Sequence, residues 1–232
     1  MKKILVSDYD QTFYLNDIDI EKNKEAVDKF QSKSNLFVIA TGRSYTDFME
    51  ALTEYKFNYD YIILNHGMTI INKDNNILIN YSIDKSIILK IIDDLKGANK
   101  IIYFYDDFTE STEYNLVKKV VKINIKYDSK DIALNISKQF NIKYGQYINA
   151  YCVPLNDVEI IASSINKAKS ITFIANTEQV LKSNIYTIGD GYNDIEMTKN
   201  FNGYCMKEST SELKKKAISE VASVSELIEK II

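Results

Sequence analysis

Along the first third of the chain, short apolar runs alternate with segments whose apolar residues recur every three or four positions. Residues 3–7 (KILVS) form an apolar run that ends in acids, the pattern of a buried strand. Residues 21–32 are charged, with Ala26, Val27 and Phe30 spaced for one helical face. Residues 36–40 (LFVIA) read as a second buried strand, 45–55 as a helix and 61–64 (YIIL) as a third strand. Such alternation predicts βαβ units and a parallel sheet covered on both faces.

The middle breaks that rhythm. Residues 68–72 and 77–81 flank Lys73, Asp74, Asn75 and Asn76, the pattern of a hairpin. A helix near 84–95 and a strand at 101–105 follow, then alternating residues at 121–125 and a helical stretch near 131–139. The last third returns to the opening pattern, with a helix near 167–175, a strand at 185–188 and a helix after Asn193. A short strand at 203–206 and helices at 211–217 and 225–232 close the chain. The expected fold class is α/β: a Rossmann-like parallel-sheet core built from 1–81 and 156–232, with a smaller α+β cap inserted over 82–155.

Composition narrows the class. A chain of 232 residues suits one core plus a smaller module. Lys and Arg number 29 against 32 Asp and Glu, which gives a net charge of −3 and no basic footprint for nucleic acid or an anionic membrane. Two cysteines, Cys152 and Cys205, are too few for a disulfide framework and lack zinc spacing, so a reducing, cytoplasmic setting is expected. The opening MKKILVSDYD meets carboxylates before any apolar stretch of signal-peptide length, and no run approaches the roughly 18 apolar residues of a membrane span. The expected partners are a small molecule and, at most, further copies of the chain, as a monomer or small homo-oligomer.

Open parallel sheets bind ligands outside the carboxyl ends of their strands, and polar residues gather there in this chain. The first strand ends in Asp8-Tyr9-Asp10-Gln11-Thr12, the second in Thr41-Gly42-Arg43-Ser44, and the late one in Gly189-Asp190-Gly191-Tyr192-Asn193-Asp194. Like charges brought so close raise one another's pKa unless a cation sits among them. The donors are all oxygens, which favours Mg²⁺ over zinc or copper. Asp8 is then a candidate covalent nucleophile toward phosphorus, and Asp10 a candidate acid and base for the leaving oxygen and water. The hydroxyls of Thr12 and Thr41 suit phosphate oxygens, and a lysine should complete the site, Lys167 being placed for it with Lys169 as competitor.

The strand-end motifs DYDQT, TGRS and GDGYND, with Lys167 between the last two, resemble the haloacid dehalogenase superfamily. Within it, the chain is similar to Cof-like phosphatases whose α+β cap follows the third core strand. The resemblance implies an Mg²⁺-dependent phosphatase that hydrolyses small phosphorylated metabolites, such as sugar phosphates, through an aspartyl-phosphate. It implies Asp8, Asp10 and Lys167 as catalytic residues. It implies Thr41, Lys167 and Asn193 as phosphate-binding residues, to which the strand-end motifs add Thr12, Gly42 and Arg43 as candidates of the phosphate- and substrate-binding set. Asp8, Asp10 (through its backbone carbonyl), Asp190 and Asp194 are implied as metal ligands. Asn65 and Gly67 resemble a family Asn-Gly turn, with His66 inserted between them. The chain departs from the family where relatives have Leu-x-Gly around the second acid, here Tyr9 and Gln11, and where they have Ser-Lys-Gly, here Asn166-Lys167-Ala168. A phosphomutase, a catalytically silent binding or regulatory homologue, and a phosphoacceptor signalling domain are the rival readings.

Other residues have blander expectations. His66 reads as hydrogen-bonded scaffold, and Cys152 and Cys205 as buried thiols. Lys214, Lys215 and Lys216 read as a solvated helix face, Tyr103, Phe104 and Tyr105 as strand core, and Asp106 and Asp107 as loop acids.

Overall fold

A computed structural model describes residues 1–96, 100–106 and 108–232. Four parallel strands lead the main sheet: β1 (Ile4–Ser7), β2 (Leu36–Ala40) and β3 (Tyr61–Leu64), with β11 (Ile185–Gly189) on the other side of β1. Beyond β3 lie β4 (Thr69–Asn72) and β5 (Ile77–Asn80), a hairpin that runs antiparallel and makes that edge mixed. Beyond β11 lie β12 (Asn202–Met206) and β13 (Ser219–Val221), which gives the order β13-β12-β11-β1-β2-β3-β4-β5. The sequence pattern placed residues 211–217 in one helix. The chain instead turns after a helix at Ser211–Lys214, which frees 219–221 to pair with β12.

The strands are apolar on both faces because helices cover both. Leu5, Phe37 and Ile39 pack with α1 (Asp17–Gln31), α2 (Tyr45–Tyr55) and α8 (Val224–Ile231), while Ile4, Val6 and Val38 pack with α5 (Lys167–Thr177) and Met197 of α6 (Ile195–Asn200). Local capping fixes where these helices begin. Asn16 caps α1, Ser44 and Asp47 form a capping box on α2, and Asn166 accepts the Lys169 N–H at the start of α5. Asn caps as well as the Ser usual in relatives, so the departure at position 166 leaves the helix start intact.

Between β5 and α5 the chain builds a second, antiparallel sheet of order β7-β6-β8-β10-β9. Its strands are β6 (Ile102–Tyr105), β7 (Glu110–Ser111), β8 (Lys122–Lys126), β9 (Ile148–Val153) and β10 (Asp157–Ala162). Two helices, α3 (Lys85–Asp94) and α4 (Lys130–Tyr144), pack on its apolar face, where Phe104, Ile123, Ile125, Val158 and Ile160 are buried. The opposite face carries Tyr105, Lys122 and Glu159, and turns toward the main sheet. Asp157–Ala162 pairs with β8 and β9, so the inserted sheet runs past residue 155, where the sequence pattern drew the edge of the insert. All six residues of that strand are buried, and a strand buried on both faces looks like the core strands. A second contact joins the insert to the core, where the Thr46 hydroxyl donates to the Phe108 carbonyl at 2.8 Å and Tyr45 meets the Phe108 ring edge-on.

Candidate active site

Strand β1 lies between β2 and β11, where the strand order reverses, so the carboxyl ends of β1, β2 and β11 open onto one crevice. Asp8 follows β1 and donates its backbone N–H to the Ile188 carbonyl of β11. Lys167, the first residue of α5, reaches Asp8 at 2.6 Å and Asp194 at 2.7 Å and is almost wholly buried. Lys169, the competitor, is exposed and donates to the Ser164 carbonyl instead. Asp194 also accepts from the backbone N–H groups of Asp190 and Gly191. A Cβ on Gly189 would come within 2.4 Å of the Asp194 carboxyl carbon, so that carboxylate lies over a strand end only glycine fits. Thr12 donates to Asp190 at 3.0 Å; its hydroxyl orients a carboxylate in this structure.

Asp8, Asp190 and Asp194 bring carboxylate oxygens within 4.8 Å of one another, and one lysine stands among them. Burial pushes the Asp8 carboxyl well up; Lys167 pulls it down, and Asp194 and Asp190 push it up again. Burial and Asp194 likewise hold Asp190 up at about 6, against the Thr12 hydrogen bond. Burial alone would lower the Lys167 pKa, but Asp194 and Asp8 outweigh it and raise it. Two buried carboxylates and one half-buried one against a single ammonium leave anionic charge uncompensated, and an all-oxygen donor set of this size fits a hard divalent cation.

Asp10 stands outside that cluster. The Arg43 guanidinium takes both of its oxygens, at 2.9 and 2.6 Å, and lies 4.9 Å over the Tyr9 ring. Any hold of Asp10 on a cation would therefore pass through its backbone. Tyr9, where relatives have leucine, is buried against Phe13, Phe48 and Phe57 in an aromatic cluster. Gln11, where relatives have glycine, keeps the left-handed turn at φ 60°. Thr41 Oγ1 accepts the Arg43 N–H at 3.1 Å, which leaves its own proton to donate.

Sequence reasoning missed two residues at this rim and underrated a third. Lys122 of β8 donates to the Gly42 carbonyl at 2.8 Å and to Glu159 of β10 at 2.7 Å. Glu159 also pairs with His66 Nε2, and the Asn193 amide stands 3.2 Å from His66 Nδ1. An amide N–H donates, so Nδ1 accepts and Nε2 carries the proton given to Glu159. Burial lowers the His66 pKa despite Glu159, in keeping with a neutral ring. Burial would raise Glu159, but Lys122 and His66 prevail and hold it well below the usual carboxylate range. A Cβ on Gly42 would sit 2.4 Å from the His66 ring, so this glycine admits the histidine. His66 is scaffold, as its neighbourhood in the sequence suggests, but scaffold inside the site. Asn65 beside it is buried, its side-chain amide without a partner among the described residues.

Of the remaining candidates only Tyr105 touches these residues among those described, its ring lying 4.6 Å from the Lys122 ammonium. Cys205 is buried but Cys152 only half-buried, contrary to expectation, and burial pushes both thiols up. Phe104 is strand core, whereas Tyr103 and Tyr105 lie on the opposite face of β6 and are half-buried. Lys215 and Lys216 are exposed. Asp106 caps its own loop through the N–H groups of Phe108 and Thr109, and Asp107 lies outside the described residues.

The model of the haloacid dehalogenase-like hydrolases matches residues 5–110 and 103–226. A provisionally named phosphatase of Buchnera aphidicola subsp. Acyrthosiphon pisum is 30% identical, over 92% of this chain and 88% of its own. A HAD/COF-like hydrolase of Plasmodium vivax has the same fold, with TM-score 0.86 at 18% identity over 99% of this chain and 95% of its own. BT1666 of Bacteroides thetaiotaomicron, studied among phosphatases of that superfamily, superposes with TM-score 0.77 at 19% identity over 99% and 94% of the two chains. The chain belongs to the haloacid dehalogenase-like hydrolases. Among the described residues no helix is long and apolar enough to cross a membrane.

Proposed function

We propose that the chain is an Mg²⁺-dependent phosphatase acting on small phosphorylated metabolites of the sugar-phosphate kind. The observation that carries this reading is the contact of Lys167 with Asp8 and Asp194 inside a three-carboxylate cluster, with a further acid two residues beyond Asp8. The phosphatase names of the Buchnera relative and BT1666 support it.

In this reading an Asp8 oxygen attacks phosphorus in line, the bond to the leaving oxygen breaks, and the phosphoryl group rests on Asp8. Lys167, the Thr41 hydroxyl and the Asn193 amide hold the phosphoryl oxygens. Asp10 gives a proton to the leaving alkoxide, then takes one from the water that attacks phosphorus and frees Asp8 and phosphate. Arg43 must release Asp10 for this, and an incoming anion offers the guanidinium another partner. Mg²⁺ held by Asp8, Asp190 and Asp194 would offset the repulsion between nucleophile and phosphate and neutralise charge developing on the phosphoryl oxygens.

Phosphate release from a panel of phosphorylated metabolites, with and without Mg²⁺, tests the reading. Magnesium-dependent release is expected, and Asp8→Asn should lower it by at least about 10⁴-fold. Silence of the folded wild-type protein across the panel, or turnover that survives in Asp8→Asn, refutes it.

A further inference from the structure

We infer that the buried Lys122–Glu159 pair of the inserted sheet is a positioning unit for the phosphate end of the site, acting on Thr41 through one peptide and on Asn193 through His66. This inference rests on the phosphatase reading and deepens it.

Two hydrogen-bonded routes leave the pair. Lys122 Nζ holds the carbonyl of the Gly42–Arg43 peptide at 2.8 Å. The N–H of that same peptide, pointing the other way, donates to Thr41 Oγ1 at 3.1 Å. Rotating this peptide would release Thr41, so the lysine fixes the direction in which the threonine hydroxyl can donate. The second route runs from Glu159 to His66 Nε2 and from His66 Nδ1 to the Asn193 amide. Because the carboxylate demands the Nε2 proton, Nδ1 is left as an acceptor and turns the amide nitrogen of Asn193 toward the ring. Lys122 and Glu159 are 2% and 8% exposed, and the Tyr105 ring lies 4.6 Å from the ammonium, so solvent does not loosen either route. Neither side chain reaches the Asp8, Asp190 and Asp194 cluster, and both come from strands with no motif of their own.

The consequence separates this role from recognition of the leaving group. A cap residue that reads the leaving group matters only for substrates large enough to touch it. A unit that sets Thr41 and Asn193 matters for every substrate, and for inorganic phosphate.

The test uses the full-length protein with Mg²⁺ and two substrates of different size, acetyl phosphate and a hexose phosphate, plus inhibition by inorganic phosphate. Lys122→Met and Glu159→Leu should lower kcat/KM for both substrates by a similar factor, on the order of 10- to 100-fold. They should weaken inhibition by phosphate as well. Glu159→Asp keeps two carboxylate oxygens as acceptors for His66 and Lys122, one methylene shorter, and should restore part of the loss seen in Glu159→Leu, which a merely destabilising substitution would not show. Lys122→Met/Glu159→Gln leaves no unpaired buried charge, and serves if a single variant fails to fold. Unchanged phosphate inhibition in folded variants, or loss confined to the hexose phosphate, overturns the inference while leaving the phosphatase reading intact. Inactivity of the wild-type protein toward both substrates would instead refute the reading beneath it.

Discussion

Lys167 and Lys122 are both buried lysines at the same crevice, one from the core and one from the insert, and their partners differ in kind. Lys167 faces two carboxylates with a third close by, so its surroundings carry excess anionic charge. Lys122 faces one carboxylate and one carbonyl, a charge-balanced arrangement with two of its three N–H donors on oxygen and the Tyr105 ring close by. An unbalanced cluster stores repulsion that a cation or a phosphoryl group changes on arrival, whereas a balanced pair holds geometry and responds to little. Chemistry is assigned to the first and placement to the second on that difference.

The sharpest way to break the comparison is to remove each lysine in turn. Lys167→Met should cut kcat by about 10²–10³-fold, the scale of losing a charge aimed at the developing oxyanion. Steady-state kinetics within threefold of wild type would put Lys167 on the structural side. Lys122→Met should cost about 3–5 kcal/mol in urea unfolding, because Glu159 is left as a buried carboxylate with no cation beside it and only the neutral His66 as partner. Replacing both residues by Met and Leu should recover much of that loss, and an additive double variant would mean the pair is not coupled.

The charge imbalance also predicts a pH dependence. Asp190, held at about 6, keeps a proton in the folded chain that the unfolded chain has lost above about 4. The folded state thus binds more protons between those values, and the metal-free protein should lose stability as pH rises through the window. Mg²⁺ at a hundredfold excess over Kd should return about 2.7 kcal/mol at pH 7.5, shrinking below pH 6 as protons compete. Thermal melts with and without Mg²⁺ at several pH values check this, and a Tm shift of equal size at pH 5 would count against the cluster as its site.

Smaller effects sharpen the picture. Gln11→Gly should stabilise by about 1 kcal/mol, because the left-handed backbone at φ 60° costs a side chain that much. Lys169→Ala should change stability by less than about 0.5 kcal/mol and leave turnover alone, since among the described residues its ammonium serves only the Ser164 carbonyl.

The core was legible because each of its strands is a compact apolar run ended by a polar cluster. Residues 36–40, 45–55 and 61–64 carry the elements read from them, and DYDQT, TGRS and GDGYND mark the crevice. Lys122 and Glu159 were not legible. In KINIK the lysines occupy the polar phase of a two-residue period, which reports a face unlike its neighbour and not what covers it. Glu159 lies in DVEIIA, where alternation over 157–160 would put Asp157 and Glu159 on an exposed face, yet all six residues are buried. His66 bonds Glu159 directly and through it adjoins Lys122, so its part in the site could not be read from its place beside a glycine.

The Lys122–Gly42 contact bears on how freely the inserted segment can be exchanged. A graft of residues 82–165 from a relative would look permissible from the chain's two crossings between the sheets. A donor without a lysine at the register of Lys122 and a carboxylate at that of Glu159 would nevertheless bring an unanchored Gly42–Arg43 peptide. Chimaeras would then fail in proportion to that single mismatch and not to overall sequence distance, so compatibility between the two modules can be scored at two positions before any is made.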